Sequence, residues 1–183
     1  MRRRLAAAAS AAFLFAAASE AGQADPRLDT LFAGLAAAEN RADAAPYEAL
    51  IWILWQRTDN VAAAASVESG LDALSRRDGE AAIALLSGAI EAAPEFAEAW
   101  NKRATAYYLL GDYRRSIADI ERVLALEPRH FGALSGLGLI FDALGDHENA
   151  LAAYRAALAI NPHLPAAQSR VAELNRSLQG RPL

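Results

Sequence analysis

The chain has 183 residues, enough for one domain plus a processing segment and enough to bury a core without covalent staples. Its hydrophobic share of 54% sits beside a mean hydropathy of only +0.08, so alanine supplies much of the apolar content, which favours closely packed helices. A formal charge of -4 excludes the basic field that general nucleic-acid binding needs, and the lack of cysteine excludes disulfides, Cys-ligated zinc, Fe–S clusters, thiol nucleophiles and a lipidated cysteine.

At the N-terminus, Arg2, Arg3 and Arg4 precede an uncharged, alanine-rich run over residues 5–19. Small residues follow at the spacing a signal peptidase reads, Ser19 with Ala21 and Gly22 with Ala24. The pattern predicts a Sec-type signal peptide over residues 1–24, cut after Ala21 or Ala24, and export to a bacterial periplasm. The run is shorter than the ~18 apolar residues of a membrane anchor and too weakly apolar to act as one. No arginine lies between Arg4 and Arg27, unlike a mitochondrial transit peptide, and the residues after the arginines do not resemble a twin-arginine signal. Removing Arg2, Arg3, Arg4 and Glu20 turns 18 basic and 22 acidic residues into 15 and 21, a formal charge of -6. No later run is long and apolar enough to span a bilayer.

Asp25-Pro26 opens a helix carrying Leu28, Leu31, Phe32 and Leu35, and a second helix past Asp43 and Pro46 carries Trp52 and Trp55. The apolar run 50–55 has helix-core length rather than membrane length. Residues 25–62 are therefore expected to form a divergent helical hairpin or cap with its tryptophans in the core, a second partner surface being the other reading.

From residue 63 the chain repeats with a period of 34. Asp78, Asp112 and Asp146 fall in register, as do Pro94, Pro128 and Pro162; so do Ala82, Ser116 and Ala150, and Leu86, Ile120 and Tyr154. The clearest unit, 97–130, carries Trp100, Ala104, Tyr107, Gly111-Asp112-Tyr113, Ser116, Ile120, Val123 and Pro128. The unit 131–164 carries Leu134, Gly138, Phe141, Gly145-Asp146, Ala150, Tyr154, Ala157 and Pro162. The unit 63–96 keeps Gly70, Ala82, Leu86, Ala89 and Pro94 but has Ser66 where a large first-helix residue belongs. In these positions the chain resembles the tetratricopeptide repeat (TPR) family, and more loosely the small exported TPR proteins of Gram-negative bacteria. The resemblance implies an all-α, right-handed superhelical α-solenoid of antiparallel helix hairpins. Small residues let paired helices approach, Gly111 and Gly145 end first helices, and Asp112 and Asp146 cap second ones. Residues 165–179 place Ala167, Val171, Leu174 and Leu178 on one stripe, the pattern of a C-terminal capping helix.

Arg103 stands where the repeat usually has leucine, and a charge there needs a partner. Asp119 on the second helix of the same hairpin is expected to form a structural ion pair with it, in preference to a ligand-binding role for Arg103. No catalytic constellation, metal site or cofactor motif is present in the sequence. His130, His147 and His163 lie 17 and 16 residues apart, unlike a helical metal site, and fit packing or solvation. Gly132 to Gly136 have a nucleophile-elbow look but no preceding strand, which that motif requires.

The family's concave face commonly holds an extended peptide or a partner's helix. By register, Glu98, Asn101, Lys102, Thr105, Tyr108, Ser135, Leu139 and Asp142 line it, either as partner-binding residues or as the polar face of packed helices. The carboxylate-clamp subset uses lysine, arginine and asparagine across three repeats. Here only Lys102 and Asn101 are near, with Val67, Leu71 and Leu139 elsewhere in the groove, which does not support recognition of Hsp70-type tails. The expected role is a non-enzymatic adaptor in the cell envelope that binds another protein, without cofactor, nucleic acid or membrane insertion after signal cleavage. Two other readings stay open, an assembly factor or non-catalytic subunit of an envelope enzyme, pilus or secretion complex, and an intracellular co-chaperone.

Overall fold

In the computed structural model, which describes residues 22–179, a 3-10 turn at Gly22–Ala24 leads into helices α1 (Arg27–Ala37) and α2 (Arg41–Trp55). They are followed by α3 (Val61–Ser75), α4 (Gly79–Ala92), α5 (Ala97–Leu109), α6 (Tyr113–Leu126), α7 (Phe131–Ala143), α8 (His147–Ile160) and α9 (Pro165–Gln179). Among the described residues there is no strand, and no helix is long and apolar enough to cross a membrane. Helices α3 to α8 pair as successive hairpins of an α-solenoid, and α9 packs on the last of them.

Each hairpin closes by matching a small residue to a large one at the same register. A Cβ on Gly70 would stand 2.8 Å from Leu86 Cγ, and one on Gly138 would stand 2.6 Å from Tyr154 Cε1. Ala104 and Ile120 meet at the equivalent place in the middle hairpin. A larger residue on the small side would force the helices apart.

The turns within the hairpins share one chemistry. The backbone N–H of Asp78, Asp112 and Asp146 each donates to a carbonyl five residues back at 2.9 Å. Each Asp carboxylate then caps the following helix by accepting from the backbone N–H three residues on. This closure needs a left-handed residue just before the Asp. Gly111 and Gly145 supply it with φ of 76° and 73°, whereas Arg77 occupies the same register at φ 62° with a side chain attached.

Between hairpins, Trp100 Nε1 donates to Pro94 O at 2.9 Å and Gln168 Nε2 to Pro162 O at 2.7 Å, tying the start of a unit to the turn before it. At the C-terminal end, Ala167 and Leu174 of α9 are buried with Ala150, Leu151 and Tyr154, and Val171 and Leu178 pack beside them. This covers the apolar face that the last repeat would otherwise show to water.

The α1–α2 hairpin has an unusual seat. Leu28, Phe32, Leu35, Ile51, Leu54 and Trp55 bury against Phe131, with Ile160 and Leu164 alongside, and no residue of α3 or α4 joins that cluster. The hairpin lies along the edge formed by the inter-repeat turns at 93–96, 127–130 and 161–164. Val61 and Leu71 on α3 stay 82% and 41% exposed.

Candidate functional site

The hairpin and the 3-10 turn before it meet the inter-repeat turns at the same register. The Gln23 side-chain amide donates to Glu95 O. Thirty-four residues on, Arg129 Nη1 donates to Asp29 Oδ1 at 2.7 Å, and its guanidinium lies 4.4 Å from the Phe32 ring centroid. Another 34 residues on, His163 Nε2 donates to Ala38 O at 3.1 Å, while Asn161 Nδ2 donates to Glu48 Oε2 at 3.2 Å. Arg129 is held in turn by Glu127, a buried carboxylate that accepts from its backbone N–H at 2.9 Å and its Nε at 3.0 Å.

At the centre of this seam His130 is fully buried and stacks on Trp55, with ring centroids 4.1 Å apart and planes within 10°. Its Nδ1 caps α7 by accepting from Ala133 N–H at 3.0 Å. That assigns the proton to Nε2, which donates to Glu98 Oε2 at 3.1 Å. Glu98 also pairs with Lys102 Nζ at 2.6 Å and accepts from Asn101 Nδ2 at 3.1 Å. Burial alone would push the Glu98 carboxyl up, but the His130 hydrogen bond and the Lys102 charge hold it below the usual carboxylate value. Trp52 closes the assembly. It stands edge-on to Trp55, His130 and Phe131, under Lys102 Nζ at 5.8 Å, and fills a notch in which a Cβ on Gly132 would meet its Cη2 at 2.6 Å.

Past Trp52 the inner face of α5 and α7 is open. One cleft of about 220 Å³ is lined by Asn101, Thr105, Tyr108, Gly136 and Leu139, with Ile120 beneath. A second of about 290 Å³ lies between Trp52, Ser135, Leu139, Leu164 and Arg170. Leu139, 46% exposed, forms the divide between them. At the far end Asp142 takes a bidentate pair from Arg170, Nε at 2.9 Å and Nη2 at 2.8 Å, and accepts from Tyr154 Oη at 3.1 Å. The Arg170 hydrogen bonds hold the Asp142 carboxyl low, and burial together with the Asp142 charge pushes the Tyr154 phenol up.

The tetratricopeptide repeat profile matches residues 67–118 and 102–165, more than half the chain. A TPR repeat-containing protein of Rhizobium etli is 36% identical over 154 residues, covering 84% of this chain and 76% of that one. The chain belongs to the tetratricopeptide repeat family. Two solved structures share its fold. The first TPR domain of Spaghetti bound to the HSP90 peptide SRMEEVD superposes with a TM-score of 0.63 at 23% identity, over 67% of this chain and 97% of that one. MamA superposes with a TM-score of 0.61 at 19% identity, over 86% of this chain and 84% of that one. TPR domains mediate protein–protein binding, and the stack is a non-catalytic scaffold for it.

On the TPR stack the eight groove residues divide into three sets. Asn101, Thr105, Tyr108, Ser135 and Leu139 line the open clefts. Asp142 lies at the far end, committed to Arg170 and Tyr154. Glu98 is 1% exposed and Lys102, bound to it and over the Trp52 ring, faces a separate cleft of about 190 Å³ lined by Val67, Leu71 and Phe96, on the other side of Trp52 from the two clefts above. Arg103 and Asp119 form a bidentate pair inside the middle hairpin, Nε to Oδ2 and Nη2 to Oδ1 each at 2.8 Å, with Arg103 Nη1 donating to Ser87 Oγ at 3.0 Å and the guanidinium 5.0 Å from the Trp100 ring centroid. Among the described residues no group of three or more His, Asp or Glu is placed to hold a metal. Trp52 as the groove's end wall, Gly132 and Gly136 as its floor and Arg170 as its far rim come from the structure. The available signal was Gly132 and Gly136, four residues apart on one helix, which strips side chains from that helix face.

Proposed function

We propose that this TPR protein is an exported, non-enzymatic adaptor of the bacterial cell envelope, which holds a peptide or helix of a partner protein in the trough along α5 and α7. The supporting observation is that trough itself. It has two adjoining clefts with largely apolar walls, edged by Asn101, Thr105 and Tyr108, on the TPR stack. The N-terminal arginines and apolar run support export, and that segment, residues 1–21, lies outside the described residues.

A photo-crosslinking residue at Thr105, in the trough, and a control at Glu121, exposed on α6, test the reading in the intact envelope. A partner band from Thr105 that Glu121 does not give, and that Tyr108→Ala diminishes, is the expected result. Equal capture from both positions refutes the trough as the docking site. Fusing residues 1–24 to a reporter active only after export tests the compartment, and an inactive fusion refutes it.

A further inference from the structure

The export reading leaves two cut points, after Ala21 or after Ala24, and the folded chain distinguishes them. Gly22, Gln23 and Ala24 form a 3-10 turn packed at the end of α2. Gly22 is buried, and its backbone N donates to Arg57 O at 2.8 Å just past the α2 terminus. A Cβ at position 22 would fall 1.6 Å from Leu54 O, so only glycine fits there. Gly22 O accepts from Asp25 N–H at 3.2 Å, which closes the 3-10 turn, and Gln23 reaches across to Glu95 O on the first inter-repeat turn. The last turn of α2 contains no basic residue, and Arg57 follows just past its end.

We propose that the mature protein begins at Gly22, and that its new α-ammonium docks against the carbonyls at the C-terminal end of α2. The proposal rests on the export reading above. Hydrolysis of the 21–22 peptide bond consumes one water, leaving a carboxylate on Ala21 of the released leader and an ammonium on Gly22. The positive group arises where the helix end favours it, and it keeps the bond to Arg57 O. A cut after Ala21 leaves the 22–24 turn in the chain that folds. A cut after Ala24 would discard the turn and with it the ties to Arg57 and Glu95.

Expressing the full chain with its own leader in a Gram-negative host, then reading the N-terminal residue of the exported form by intact mass and sequential degradation, tests this. Gly22 at the terminus is the expected result. An exported form beginning at Asp25 overturns the proposal and leaves the export reading standing, whereas an uncut chain held in the cytoplasm overturns both. Thermal unfolding of the Gly22 form, its Gly22→Ala variant and a form starting at Asp25 tests the docking separately. Loss of the docked terminus lowers the midpoint by about 2–4 °C, the shift expected for one lost net hydrogen bond in a chain of this size. Identical midpoints for all three forms refute the docking.

Discussion

Replacing either member of the Arg103–Asp119 pair should destabilise the middle repeat far more than replacing both with apolar residues. The side chains are 16% and 6% exposed, so removing one leaves the other's charge largely cut off from water. Asp119→Ala leaves the Arg103 guanidinium with Ser87 Oγ as its neutral hydrogen-bond partner. Arg103→Ala strands the carboxylate and also empties the space against Trp100. Breaking a buried pair on one side costs about 3–5 kcal/mol. At roughly 2–4 °C per kcal/mol for a chain of this size, each single variant should lose about 6–20 °C in unfolding midpoint. Arg103→Met with Asp119→Leu should lie within about 1 kcal/mol of the parent, because neither charge then needs solvation. Urea titrations of the parent, Arg103→Met, Asp119→Leu and the double provide the cycle; single losses of about 3–5 kcal/mol against about 1 kcal/mol for the double put the coupling energy at about 5 kcal/mol or more. Reversing the charges should recover part of the loss and not all of it, since the exchanged guanidinium would leave Ser87 and Trp100 behind. Single effects that add to within about 0.5 kcal/mol would refute the pair as a structural unit.

Two glycines one turn apart on α7 should respond with opposite signs. Gly132→Ala drives a methyl to 2.6 Å from Trp52 Cη2, so it should destabilise by about 1 kcal/mol and red-shift tryptophan emission, whereas Gly136→Ala meets only Ile120 Cδ1 at 3.7 Å and should stabilise by about 0.5–1 kcal/mol. Equal effects would refute the seating of Trp52 on α7. The Glu98 carboxyl is held below its ordinary value in the folded chain, so its contribution is fully present above the unfolded pKa of about 4.3 and is lost as pH falls through the lower folded value. The urea midpoint of Glu98→Gln should therefore fall less than the parent's between neutral pH and the acid side of that range, and parallel curves would show that Glu98 does not stabilise the seam as a carboxylate.

The solenoid was legible because its register repeats. Asp78, Asp112 and Asp146 mark one turn three times, and Leu86, Ile120 and Tyr154 mark one packing position three times, so each copy reinforces the others. The seat of α1–α2 has no such redundancy. It depends on Arg129, His130, Asn161 and His163, ordinary turn residues in isolation, and no period relates residues 25–62 to the turns they meet. That difference carries into the groove. Register gives the direction in which Glu98 and Lys102 leave α5, but the Trp52 ring that Lys102 meets there comes from a residue far away in the chain. Asn101, Thr105, Tyr108 and Leu139 lie farther along, where nothing crosses in the described structure and the register reading carries over directly to the clefts.

A helical-repeat array is ordinarily assembled neighbour by neighbour, and any one unit is indifferent to units two places away. Here the first hairpin made is fastened to turns 100, 113 and 125 residues downstream through Asp29, Glu48 and Ala38. It leaves the ribosome with most of its apolar face unmatched and waits for the last repeat before that face is covered. Shortening the chain at its far end should therefore be felt at its beginning, where loss of the 161–164 turn would strip Ala38 and Glu48 of their partners and loosen α1 and α2 while the repeats between remained folded.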